Sequence, residues 1–273
     1  MQMMKPLIEI NGTPASAGSL SAALPNYGHF TSMQVRGGRV AGLQLHLQRL
    51  QSSTQMLFAS ELDIASVRAW LQQALQHAGA AAIEACSVRI NVHAAQFDRD
   101  RPGAPQAVDV MITVSAPWQG RTQPIRVQAQ SYQRDLPEVK HVGTFGLFWQ
   151  RQLALQAGYD DALFVDHAGR ISEGSVWNIG FWDGEQLIWP QAAMLDGVTQ
   201  QLLKAALAAA GIAQQTRELR LPDLAGFKAA FSCNSTGVGT PIVAIDEWRF
   251  VEDPAFNARL LAAYESVAAD AIL

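Results

Sequence analysis

The chain has 273 residues, a formal net charge of −4, 49% hydrophobic and 16% charged residues; that is globular composition, and the length fits two domains of ordinary size. The acidic balance argues against a nucleic-acid binder, which carries a basic face. Cys86 and Cys233 cannot build a disulfide framework and read as reduced core thiols of a cytoplasmic protein, with no signal peptide in Met1 to Ile10 and no apolar run of membrane-spanning length.

Leu7 to Ile10 alternates as a short strand and ends at the turn pair Asn11-Gly12. His29 to Val35 and Arg39 to Leu43 flank Gly37-Gly38 and read as a hairpin. A helix is predicted from about Leu45 to Phe58. A second carries Ile64, Val67, Leu71, Ala74, Leu75 and Ala78 at helical spacing and stops at Gly79. Ser87 to Val92 and Val108 to Val114 read as strands around the polar loop Asp98 to Pro105.

The segment Ala116 to Pro124 has the Pro, Gly and polar content of a linker, which sets the domains at 1–118 and 119–273. Beyond it, Ile125 to Ala129 is a strand and Phe145 to Ala157 a helix closed by Gly158. Ala162 to Val165, Val176 to Phe181 and Leu187 to Trp189 are strands joined by turns at His167-Ala168-Gly169 and Asp183-Gly184. Val198, Leu202, Leu203, Ala206, Leu207 and Ala210 form a helical stripe ending at Gly211. Ala229 to Cys233 and Pro241 to Ile245 are strands around a polar turn, Asn234 to Gly239. Without regular βαβ alternation the class is α+β.

Candidate chemistry is uneven. The six histidines have no paired-ligand spacing, no G-x-S-x-G elbow occurs, and Gly237-Val-Gly239 is a lone GxG, so neither a metal site, a serine nucleophile nor a dinucleotide site is assigned. Leu195-Asp-Gly-Val-Thr199 opens a helix, where free N–H groups and the helix dipole favour an anion; an ordinary N-cap by Asp196 explains the same residues. Asn234-Ser-Thr-Gly237 is a second donor-rich turn. Lys140 stands in a mostly uncharged stretch between a strand and a helix, where an amine partly removed from water is a better nucleophile; a solvated surface lysine is the plainer account. Glu173 alone reads as a turn carboxylate.

Taken together, Lys140, Gly158-Tyr-Asp-Asp-Ala-Leu-Phe-Val-Asp166, Ile171-Ser-Glu-Gly-Ser-Val-Trp-Asn178 and Leu195-Asp-Gly-Val-Thr199 resemble the class IV (fold type IV) aminotransferases, which depend on pyridoxal 5′-phosphate (PLP). Tyr27-Gly-His-Phe-Thr-Ser-Met-Gln-Val35 and His46-Leu-Gln-Arg-Leu50 resemble the first domain of the same family. The resemblance implies a two-domain D-amino-acid aminotransferase-like fold with PLP between the domains, usually in a homodimer. It implies that Lys140 holds PLP as a Schiff base and that Glu173 pairs with the pyridine nitrogen. It further implies that Arg49 reaches the phosphate, with Gly197, Val198 and Thr199 as the phosphate loop and Ser235 and Thr236 as the second phosphate turn.

The sequence departs from the family at Gly180, which precedes the usual aromatic (Phe181), and at Pro190, where Thr is usual. Gln200 replaces a basic residue, and Phe145 stands where branched-chain members carry Tyr. Residues 93–101 lack the Arg-Gly-rich segment of the lyases and D-amino-acid enzymes. The expected activity is amino-group transfer between an amino acid or amine and a 2-oxo acid. Phe30-Thr31-Ser32 and Lys140-His141 resemble instead aminodeoxychorismate lyase, which forms 4-aminobenzoate and pyruvate. A PLP-binding protein without efficient turnover is the third reading.

Overall fold

A computed structural model describes residues 5–118, 120–121 and 123–273; the first four residues of the N-terminal stretch, and Gln119 and Thr122 of the linker segment, lie outside them. The chain divides into two compact units. The first contains the described residues of Met1–Trp118 together with Val139–Gly143 and Ala269–Leu273.

In that unit the chain runs β1 (Leu7–Ile10), β2 (Thr13–Pro14), α1 (Ala17–Ser21), β3 (Gly28–Arg36), β4 (Arg39–Ala41), α2 (Leu43–Phe58), α3 (Ile64–Ala78), α4 (Ala80–Glu84), β5 (Ala85–Ala94) and β6 (Val108–Ser115). Among the described residues these strands and the C-terminal strand Ala269–Ala271 form a seven-stranded sheet, in the order C-terminal strand, β4, β3, β5, β6, β1, β2. Gly37 and Gly38 have φ of 55° and 67°, the left-handed pair that a tight hairpin turn requires. The stripe of α3 buries Val67, Leu71, Ala74 and Leu75. They join Met33, Val35, Val88, Ile90, Ile112 and Val114 in one core, because alternate strand residues point to one face of the sheet.

Asp63 caps α3 by accepting from the Ala65 and Ser66 amides. The helix stops where expected, but the chain re-enters a helix at once in α4, an Ala-rich turn without amphipathic period. Helix α2 starts earlier than the sequence suggests, at Leu43, because its cap is distant in sequence: the Leu43 amide donates to Asp270 Oδ2 at 2.8 Å.

The second unit comprises the described residues of Gln119–Glu138 and Thr144–Ala268. It runs β7 (Ile125–Ser131), α5 (Phe145–Gln156), β8 (Asp161–Val165), β9 (Ile171–Gly174), β10 (Asn178–Trp182), β11 (Leu187–Pro190), α6 (Val198–Ala209), β12 (Gln214–Arg217), a 3-10 turn, β13 (Ala229–Asn234), β14 (Gly237–Ile245), β15 (Trp248–Arg249) and α7 (Pro254–Glu265). Its sheet follows the order β12, β11, β10, β13, β14, β7, β8, β9, with β15 beside β14. Most pairs are antiparallel, but β7 is parallel to both β8 and β14. The mixed architecture agrees with the α+β reading.

Three expectations are corrected here. Residues 171–174, read as a turn, form strand β9, while the next strand begins at Asn178 rather than Val176. The polar turn expected over 234–239 shrinks to Ser235-Thr236, because β14 already begins at Gly237. Helix α7, unforeseen, buries Phe256, Leu260 and Ala263 against the face formed by α6 and Trp182. Both thiols are free and buried, and burial pushes Cys233 up to about 12. Among the described residues no helix is long and apolar enough to cross a membrane.

Replacing Leu75, which is fully buried, by Ala should destabilise the first unit by about 2–5 kcal/mol through lost burial and the cavity left behind. Leu155→Ala, at an exposed position of α5, should stay within about 0.5 kcal/mol. Urea unfolding of the two variants checks the contrast.

Candidate active site

Lys140 belongs to the first unit, although it lies beyond β7 in sequence. The edge of β3 at Gly28–Phe30 is left open by short β4, and the segment around Lys140 fills it. The Phe30 amide donates to the Lys140 carbonyl and the Val142 amide to the Gly28 carbonyl, each at 2.9 Å, and His29 and His141 form a bridge. Lys140 Nζ then sits 4.9 Å from the centroid of the Phe30 ring, and the Arg89 guanidinium carbon sits 3.6 Å from the same centroid. Such contacts contribute roughly 0.5–2 kcal/mol each.

On α2, the buried stripe Leu43, His46, Leu47 and Leu50 brings His46 and Arg49 under β3. Arg49 donates to Thr31 Oγ1, which lies 2.6 Å from His46 Nδ1. His29 Nε2 is 2.9 Å from Thr54 Oγ1. Burial, with Arg49 as a secondary cause, lowers both His29 and His46 to about 3, so both rings are neutral at ordinary pH.

In the second unit, Glu173 sits on β9 and is 5% exposed. Its Oε1 accepts from the Leu195 amide at 3.2 Å, and Arg134 Nη1 lies 3.9 Å away, itself buried. The Leu195 carbonyl in turn accepts from Asn178 Nδ2 at 2.8 Å. The backbone of one residue therefore ties the carboxylate to the loop that starts α6.

The cap residue of α6 is Gly197, which has no side chain to make a cap bond, rather than Asp196. A Cβ on Gly197 would fall 2.1 Å from Asn178 Oδ1, so only glycine lets the chain pass Asn178 at that distance. Val198 and Thr199 form the first turn, both buried, with Thr199 near Tyr264 of α7. Gln200 is 1% exposed, and both of its amide atoms lack a partner among the described residues. Buried polar groups are paired as a rule, so an orphaned amide at an uncapped helix start fits an anion bound there. The turn at Ser235 and Thr236 is more self-contained. The Thr236 amide, the Thr236 hydroxyl and the Gly237 amide all donate to Asn234 Oδ1.

Each unit thus gathers its own set: Arg49 and Lys140 in the first, Glu173 with Gly197, Val198 and Thr199 in the second. Sequence reasoning missed Arg89, Arg134 and Tyr264. Arg89 is legible in retrospect as the lone cation in the strand-like run Ser87–Val92. Arg134 and Tyr264 carry no local signal. Among the described residues no group of His, Cys, Asp and Glu could hold a metal ion.

The sequence pattern of the family described as amino-transferase class IV matches residues 28–245. The fold is similar to a branched-chain aminotransferase from the archaeon Thermoproteus uzoniensis, solved with norvaline (TM-score 0.82, 19% identity, 95% of this chain and 93% of that one). It is similar also to a hypothetical aminotransferase from Mycobacterium tuberculosis in its PLP-bound form (0.77, 21%, 96% and 98%). A third is the PLP form of the branched-chain enzyme of Thermobaculum terrenum (0.84, 18%, 97% and 94%). No curated protein matches the chain by sequence.

The neutral buried histidines generate a pH dependence. In the unfolded chain each binds a proton as pH falls through 6.5, whereas in the folded chain each does so only near 3. The unfolded state binds more protons across that window, so stability rises with pH there and is lost on acidification from 6.5 toward 3. Urea midpoints measured between pH 7 and 4 should fall accordingly, with a shallower slope in His29→Gln.

Proposed function

The chain belongs to the class IV aminotransferases, a PLP-dependent class, and from that premise we propose that it moves an amino group between an amino acid or amine and a 2-oxo acid. The observation that carries this reading is residue Leu195, two positions before the cap of α6, whose N–H donates to the buried Glu173 and whose carbonyl accepts from Asn178. Lys140 is the covalent anchor of PLP. Arg49, Gly197, Val198 and Thr199 hold its phosphate, with Ser235 and Thr236 at the second turn, and Glu173 holds the proton of its pyridine nitrogen.

Bound PLP supplies a conjugated ring that accepts the electron pair released at the substrate carbon. Lys140 Nζ, freed when the substrate amine takes its place, acts as general base on the proton of that carbon. Glu173 keeps the ring nitrogen protonated by charge. Arg89, packed on the same Phe30 ring as Lys140, offers a guanidinium to the substrate carboxylate, which favours amino acids and 2-oxo acids over simple amines. A cytoplasmic homodimer belongs to the same reading. The reduced thiols support the compartment, and the exposed Phe145, Phe148 and Trp149 of α5 support an assembly that covers them.

The test begins with purified protein, PLP and a panel of amino donors and 2-oxo acids. Lys140→Ala should lose the visible absorbance of lysine-bound PLP and leave no PLP-lysine adduct after borohydride reduction, since only an amine forms that bond. An adduct at another lysine would overturn the assignment. Product analysis separates the readings: 4-aminobenzoate and pyruvate from aminodeoxychorismate would establish the lyase, to which Phe30-Thr31-Ser32 and Lys140-His141 point. PLP loading without turnover of any substrate would leave a binding protein.

Glu173→Gln tests the electron sink. The variant should still load PLP, but its single-turnover rate with a reactive donor should fall about thirty- to a thousand-fold, the loss of roughly 2–4 kcal/mol from a charged hydrogen bond in the transition state. A wild-type rate at full loading would make Glu173 a structural residue of β9.

A further inference from the structure

The register of the first unit's sheet determines where the side chain of Arg89 must travel. On the face opposite the core, Phe30 of β3 stands across from Asn91 of β5, and Ser32 stands across from Arg89. The Phe30 amide donates to the Lys140 carbonyl, so Lys140, Phe30 and Asn91 share one row across the sheet. Arg89 starts one row away. Its guanidinium nonetheless ends in the row of Lys140: the guanidinium carbon lies 3.6 Å from the centre of the Phe30 ring, and Nε donates to Asn91 Oδ1 at 3.0 Å. A guanidinium nitrogen only donates, so the oxygen end of the Asn91 amide is the end that faces it. Lys140 Nζ lies 4.9 Å from the centre of the same ring.

The two contacts of Arg89 do different things. A cation over an aromatic face is attracted whichever way its fork is turned within its own plane. The hydrogen bond from Nε fixes that rotation. It takes up the Nε side of the fork and directs the terminal pair, Nη1 and Nη2, away from Asn91. That pair has the spacing to hold a carboxylate by two parallel hydrogen bonds. Asn91 is itself buried, so its amide cannot follow a guanidinium that swings into solvent.

We propose that Asn91 is a positioning residue for Arg89: it turns the guanidinium so that its two-donor end meets the carboxylate of an amino acid or 2-oxo acid beside Lys140. The proposal rests on the reading of Arg89 as the group that meets the substrate carboxylate. It makes the preference for acids over simple amines depend on a residue that touches neither. An arginine already held loses less conformational freedom when the substrate arrives, which strengthens binding without a new contact.

A double-mutant cycle separates this role from packing. The probes are racemic alanine and ethylamine, which differ only by the carboxylate. The readout is their single-turnover reaction with the PLP-loaded enzyme, followed by absorbance against probe concentration. Asn91→Leu keeps the size of the side chain and removes the acceptor. It should raise the saturation constant for alanine about ten-fold, the scale of one charge-assisted hydrogen bond, and leave the limiting rate within about two-fold. Ethylamine should be unaffected. In the Arg89→Met enzyme the same change at position 91 should alter neither probe. Propionate, which is alanine without its amine, gives a readout independent of turnover: its dissociation constant by calorimetry should rise by the same factor in Asn91→Leu.

Unchanged constants for alanine or propionate, an equal loss for ethylamine, or a loss that persists in Arg89→Met would each overturn the proposal. Circular dichroism and urea midpoints accompany every variant. If Asn91→Leu does not fold, Asn91→Thr, whose hydroxyl is one bond short of the position of Oδ1, should show the same selective loss, and wild-type constants there would overturn the proposal. Arg89→Met alone separates the two levels. If that variant discriminates alanine from ethylamine as well as wild type does, the reading of Arg89 falls and the role of Asn91 with it. If it loses the discrimination while Asn91→Leu keeps it, the role of Asn91 falls alone.

Discussion

The backbone of Leu195 is held at both its N–H and its carbonyl, and the loop before α6 is placed by these two bonds. The N–H donates to Glu173 and the carbonyl accepts from Asn178. Both side chains are buried, where a polar group left unpaired costs roughly 1–3 kcal/mol and a charge more. Satisfying Glu173 therefore requires the loop before α6 to lie against β9 and β10, and the loop can lie there only if position 197 lacks a Cβ. The carboxylate and the helix start cannot shift independently. That coupling, rather than either group alone, makes the constellation specific.

Glu173 is a buried anion, and it is held next to a buried cation, Arg134, at 3.9 Å. Removing one partner of such a pair leaves an uncompensated charge, which costs more than an intact pair contributes. Arg49 is a cation set beside Thr31 and a neutral histidine.

Local signals carried much of this into the sequence. The stripe Val67, Leu71, Ala74, Leu75 specified α3, and Gly37-Gly38 specified a hairpin, because both depend on neighbours a few residues apart. The proposed site residues stand out in the sequence through the spacing and order that resemble the family, rather than through their individual chemistry. What escaped reading depends on partners far along the chain. The cap of α2 is 227 residues away. Strand β9 looked like a turn because Ser, Glu and Gly disfavour strands, yet all four of its residues are buried in the sheet, where pairing overrides propensity. Helix α7 has an Ala-rich pattern with little amphipathic contrast, so its docking on Trp182 through Phe256 decides its existence. That the cap position of α6 falls at Gly197 rather than Asp196 was undecidable locally, since Asp is an ordinary capping residue.

Strand β3 does two jobs at once, and its register decides both. Thr31 points to α2 and meets Arg49 and His46; Phe30 points the other way and carries Lys140 and Arg89. A slip of one residue would exchange the faces and dismantle both sets. The nine paired positions from Gly28↔His93 to Arg36↔Ala85 fix that register, and a Cβ at Gly28 would fall 2.5 Å from the Val92 carbonyl, so the pairing starts at a residue without a side chain. The bonds from Phe30 and Val142 then set Lys140 against the same strand. The segment that carries the amine is thus placed by backbone pairing with this strand.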